Sequence, residues 1–195
     1  MKSLNPNHIL ALFLIFIGAV GRIALVNYPN VETVMVVTFI AAVYIRTWYA
    51  LLVPLGAMFI SDAVLGNFTF TSTHSLILIF TYSGFIMISL VSRKYGDYFR
   101  RNASSINRIS VTNTSMFGLL FVVVYDVWTN FGAFLLMYPH TLNGLALCYT
   151  MAIPFMLYHL FSGAVTFALI VAPVSNIIQH SHLVKDQTPV QTPQQ

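Results

Sequence analysis

Four ionisable side chains interrupt long apolar runs. Arg22 lies within the run His8–Val26, Asp62 near the end of Trp48–Leu65, and Asp126 in the middle of Ser115–Met137. Glu32 opens the run Val31–Ile45. In hydrocarbon each such group costs about 2.5 to 3.5 kcal/mol on insertion scales, so it turns inward to a partner, a solute path or a proton relay. Arg22 and Asp62 map to similar depth and are expected to pair, either to fix two helices or to line a cavity open to the outside. Glu32 suits the first turn of its helix, where Asn30 is a candidate cap and the dipole favours an acid. Asp126 has no obvious basic partner at its depth. Asn130 is four residues on and shares its face, with Trp128 close by. These three suit a polar, planar ligand; an interhelical hydrogen bond is the alternative. Tyr138 and His140 follow at the outer end of the run and are expected in an outer gate.

Other chemistries find little support. The six histidines are scattered, with no His-Glu-x-x-His motif, so no metal and no other cofactor is expected. The single cysteine, Cys148, excludes an internal disulfide and a thiolate cage. There is no Gly-x-Ser-x-Gly elbow and no phosphate-cradling glycine loop. The expectation is therefore not an enzyme, although paired carboxylates can perform acid–base work within a membrane.

The elements that must carry these residues are set by composition. The chain has 195 residues, of which 57% are hydrophobic and 7% charged. A soluble domain has roughly 25% charged residues, so the solvent implied here is lipid. A membrane-spanning helix needs about 20 mostly apolar residues. The runs predict an all-α, polytopic membrane helix bundle of about six transmembrane helices over residues 1–180. The tail, 181–195, is polar and expected to be disordered. The first five helices are His8–Val26, Val31–Ile45, Trp48–Leu65, Ser75–Ser92 and Ser115–Met137. Proline fits the first turn of a helix, so the sixth is placed at Pro154–Ile178, after a short surface or re-entrant piece at 144–151.

Charge orients the bundle. With both termini cytoplasmic, all of the nine basic residues except Arg22 fall in inner segments. These are Lys2, Arg46, Arg93, Lys94, Arg100, Arg101, Arg108 and Lys185, as the positive-inside rule requires. The net charge of +4 is thus a topology signal in a multi-pass protein of the cell membrane, and no nucleic-acid partner is expected. The basic stretch from Arg93 to Arg108 can also meet anionic lipid heads.

Two stretches carry a resemblance. The first runs from Arg22 to Gly66, with Tyr28-Pro29-Asn30-Val31-Glu32-Thr33, Val53-Pro54-Leu55-Gly56-Ala57-Met58 and Ser61-Asp62. It resembles the front half of the substrate-binding (S) components of energy-coupling factor transporters. The second has Thr129-Asn130-Phe131-Gly132, Tyr138-Pro139-His140-Thr141, Gly144-Leu145, Cys148-Tyr149 and Ala152-Ile153-Pro154-Phe155. It is similar to a family of small prokaryotic membrane proteins of S-component type. The resemblance implies six helices, an outward-facing pocket closed by outer loops, and partnership with a membrane coupling protein and two ATPases. Two features depart from it. Helix one lacks the inner small-residue motif that meets the coupling protein, since Gly18, Ala19 and Gly21 lie further out. The His-containing start of nickel and cobalt members is also missing.

The function expected is binding and uptake of a small polar molecule, such as a vitamin or its precursor, from the outer side. Its site would draw on Arg22, Glu32, Asp62, Asp126, Trp128, Asn130, Tyr138 and His140. A structural or assembly subunit, its buried charges fixing helix register, is the alternative.

Overall fold

The computed structural model describes residues 6–28, 33–45, 47–68, 72–103 and 108–180. Glu32 and the tail 181–195 lie outside the described residues. Among the described residues the fold is an all-α helical bundle of membrane type, with six helices in order: α1 (Pro6–Ala24), α2 (Thr33–Tyr44), α3 (Tyr49–Leu65), α4 (Ser72–Ala103), α5 (Arg108–Met137) and α6 (Leu142–His180).

Composition explains which helix lies inside. α2 is apolar on every side, with valines, Met35, Phe39 and Ile40 around its whole circumference, and all of its residues are buried. A helix with no polar face has to be enclosed. α2 packs against each of the other five helices, which follow one another round it as α1, α3, α4, α5 and α6. At 12 residues α2 is about 18 Å long, short of the roughly 30 Å hydrocarbon layer.

The other helices turn large apolar side chains outward. Leu12, Phe13 and Phe16 on α1 and Phe155, Leu157, Phe161 and Leu169 on α6 are exposed. So large an apolar surface belongs in lipid rather than water. Among the described residues, four helices contain segments long and apolar enough to cross a membrane: Asn7–Ala24, Leu76–Lys94, Gly118–Met137 and Leu142–Phe167. α2 and α3 are the shorter apolar helices.

Two expectations are corrected. First, α6 is a single helix of 39 residues that passes through Pro154 without a break. Its start is set upstream, where the backbone N–H of Gly144 donates to Thr141 Oγ1 at 3.1 Å, the geometry of a threonine N-cap. Proline inside a helix removes one backbone hydrogen bond, a loss that helices in membrane proteins tolerate. Second, most of the basic stretch 93–112 is helical. α4 runs on to Ala103 and α5 begins at Arg108, so the charges prolong two membrane helices.

α1 closes tightly on α2 and α3 through a small residue. A Cβ on Gly18 would fall 2.8 Å from Val37 Cγ2 and 3.0 Å from Ala57 Cβ. The same contact lets Thr33 Oγ1 donate to the Gly18 carbonyl at 3.0 Å, a buried hydrogen bond between helices. Gly18→Leu is expected to destabilise the bundle by about 1 to 3 kcal/mol through overpacking, seen as a lower melting temperature in mild detergent. Leu12→Ala, at an outward-facing position, should change it little.

Candidate functional site

The ionisable residues form two clusters. The first is built on the end of α3. Gly66 caps the helix in the left-handed region, at φ 73°, with its N–H on the Asp62 carbonyl. The Asn67 N–H reaches the same carbonyl at 2.9 Å. This glycine-dependent ending turns the chain so that Asn67 Nδ2 donates to Asp62 Oδ1 at 3.0 Å. Arg22, in the last turn of α1, donates through Nη1 to Asp62 Oδ1 at 2.5 Å and to Ser61 Oγ at 2.7 Å. Tyr82 on α4 donates its hydroxyl to Asp62 Oδ2 at 2.9 Å.

Both oxygens of Asp62 are therefore occupied, and its side chain is fully buried, whereas that of Arg22 is 19% exposed. The helix dipole opposes an anion at this end of α3 and favours the cation at the end of α1. The guanidinium offsets both the dipole and the loss of water. The expected Arg22–Asp62 pair is thus present, and Tyr82 extends it to a third helix.

The second cluster lies between α5 and α6. Asp126 Oδ1 is 2.7 Å from His159 Nδ1, and both side chains are buried. Asp126 Oδ2 is buried with no hydrogen-bond partner. Tyr125 packs edge-on to the imidazole with ring centroids 6.2 Å apart, and Phe85 of α4 covers Tyr125 at 4.8 Å.

The neighbours expected to join Asp126 point elsewhere. Asn130 Nδ2 donates to the Asp126 backbone carbonyl at 2.7 Å, not to its carboxylate. Trp128 is about 200° round the helix from Asp126. Its indole N–H donates to Ser83 Oγ on α4 at 3.0 Å, and its ring packs on Phe80 at 5.4 Å. Tyr138 follows the end of α5 and is partly buried, while His140 is exposed with Nε2 2.9 Å from the Leu135 carbonyl. These two stand at the rim, outside both clusters.

α4 touches both clusters, through Tyr82 on Asp62 and through Phe85 on Tyr125, which packs against His159. Consecutive residues there, Tyr82 and Ser83, reach Asp62 and Trp128 respectively. His159 was the partner missing from the sequence reading. The signal for it was the spacing of His159, Ser162 and Thr166, a polar line along one face of a lipid-exposed helix. All three are buried, with Ser162 and Thr166 bonded back to carbonyls of their own helix. Among the described residues no group of three or more His, Cys, Asp or Glu could hold a metal ion.

Arg22→Ala leaves a buried carboxylate without its counter-charge, and is expected to destabilise the bundle by about 3 to 5 kcal/mol. Replacing both partners with apolar residues, Arg22→Met with Asp62→Leu, should cost clearly less. Thermal unfolding of the two variants in one detergent measures the difference.

The chain belongs to the DUF6580 family, a family of unknown function whose model matches residues 2–187. No curated protein and no solved structure matches it.

Proposed function

We propose that the protein binds a small polar solute from the outer side of the cell membrane and serves its uptake, as S components of energy-coupling factor transporters do. In this reading both termini are cytoplasmic, and a coupling protein with two ATPases supplies the energy. The observation that carries it is the open oxygen of Asp126. A buried acceptor with no partner forfeits about 1 to 3 kcal/mol or more, and such groups in a native fold call for an explanation. A solute that donates a hydrogen bond to Oδ2 accounts for it. Asp126 therefore makes the principal contact, with His159 holding the carboxylate in place. Tyr138 and His140 stand at the outer rim, as gate residues would.

A second reading, a structural or assembly subunit, draws on the other cluster. Arg22, Ser61, Asp62, Asn67 and Tyr82 satisfy one another. An arrangement so complete needs no ligand and serves to clamp α1, α3 and α4.

Mass spectrometry of small molecules released from gently purified, denatured protein separates the two. Uptake predicts one polar molecule in stoichiometric amount, held at least tenfold more weakly by Asp126→Ala, a loss of about 1.4 kcal/mol or more. The assembly reading predicts no small molecule and a copurifying membrane protein. Unchanged retention of the solute by Asp126→Ala would sink the assignment of this site.

A further inference from the structure

We infer that Asp126 and His159 together form a proton-binding site in the membrane interior, able to take up and release one proton without dismantling the α5–α6 contact. Position comes first. Asp126 lies inside the apolar segment Gly118–Met137 of α5, and His159 inside Leu142–Phe167 of α6. The two are 4% to 7% exposed. Their 2.7 Å Nδ1···Oδ1 separation is a direct hydrogen bond, across which a proton can pass without an intervening water.

Charge comes next. When neutral His159 donates Nδ1–H to ionised Asp126, the pair carries one net negative charge among apolar side chains. Adding one proton forms a single N–H or O–H bond and gives either imidazolium with carboxylate or neutral imidazole with carboxylic acid. Either form is neutral overall, and nothing is oxidised or reduced. Burial penalises net charge heavily, and the protonated pair carries none. The carboxylate also has a place to receive the proton, because Oδ2 has no partner. Asp62 offers no such place, since Arg22 already neutralises it and its second oxygen accepts from Tyr82.

The surrounding helices supply no rival charge among the described residues. On α5, Tyr125 faces the imidazole through its ring edge. α6 adds Cys148 and Tyr149, bonded to the carbonyls of Asn130 and Val127, and the exposed Tyr158. α4 adds Tyr82, committed to Asp62, with Arg93 and Lys94 at the far end of its apolar segment. α2 carries no acid, lysine, arginine or histidine, and its tyrosine, Tyr44, is its last residue. The 2.7 Å hydrogen bond couples the two groups, so a proton taken up there belongs to the pair rather than to either residue alone.

Trp128 supplies the test. The chain has two tryptophans, so Trp48→Phe leaves Trp128, two residues from Asp126, as the sole reporter. This protein in lipid nanodiscs is titrated from about pH 4 to about pH 9, the range that spans free carboxylate and imidazole groups, while Trp128 emission is recorded. A one-proton step is expected. Asp97→Asn should leave it in place, Asp126→Asn should abolish it, and His159→Gln should displace its midpoint by at least one pH unit. Asp126→Glu, which keeps the carboxyl, should restore a step, with circular dichroism confirming that each variant is folded. No step in the parent, or a step that survives Asp126→Asn, overturns the inference. No solute is used, so failure of the uptake reading and failure of the proton site are read separately.

Discussion

A carboxylate among apolar helices must have its charge met, and much of this bundle is arranged around that demand at Asp62. Three side chains supply it from three directions: Arg22 from α1, Asn67 from beyond the cap of α3, and Tyr82 from α4. Ser61 accepts from the guanidinium and shares its own hydroxyl between the Ala57 and Met58 carbonyls. The arrangement depends on α1 lying close to α3, which depends on Gly18 admitting Val37 and Ala57. It depends equally on Gly66, whose left-handed conformation returns Asn67 to the carboxylate. Backbone and side-chain requirements thus converge on one buried group, so a fault in any of them would leave charge exposed to hydrocarbon.

Asp126 has been treated differently by the same fold. It has one partner rather than three, and that partner is histidine, which is neutral or charged according to its surroundings. Its neighbours on α5 do not complete the set. Thr129 bonds back to the Tyr125 and Asp126 carbonyls, and Asn130 to the Asp126 carbonyl. Donors able to fill Oδ2 are therefore close in sequence yet spent on the helix backbone. One cluster is closed and the other open, and only the open one leaves chemistry to be done. This difference points to α5 and α6 for the candidate site, and leaves the Arg22 cluster to hold α1 and α3 to α4.

Much of the architecture could be read from the residues. The helices, the pairing of Arg22 with Asp62 and the interior place of Asp126 all follow from hydrophobic runs and the cost of burying charge. Pro154 misled because its effect depends on context. At a helix start its missing N–H costs nothing, and in mid-helix it costs one hydrogen bond, which the length of α6 and the cap at Thr141 outweigh. His159 escaped for a different reason. Whether it meets Asp126 depends on the rotation and register of two helices, which composition does not fix. Trp128 and Asn130 show the same limit. Both are near Asp126 in sequence, but helical geometry turns Trp128 to α4, and the backbone of α5 captures Asn130.

The open site and the closed one are not independent. Tyr82 and Ser83 are consecutive on α4, and one holds Asp62 while the other holds the indole of Trp128. A shift of α4 that loosened Trp128 from Ser83 would therefore also strain the Tyr82 bond to Asp62. α4 touches α2, α3 and α5, so it lies between the first three helices and the last two. α4 thus carries side chains bonded to both sides of the bundle, Tyr82 to Asp62 and Ser83 to the indole of Trp128 on α5. The saturated carboxylate ties α1, α3 and α4 to one another, whereas Asp126 joins α5 to α6 through one oxygen and keeps the other without a hydrogen bond.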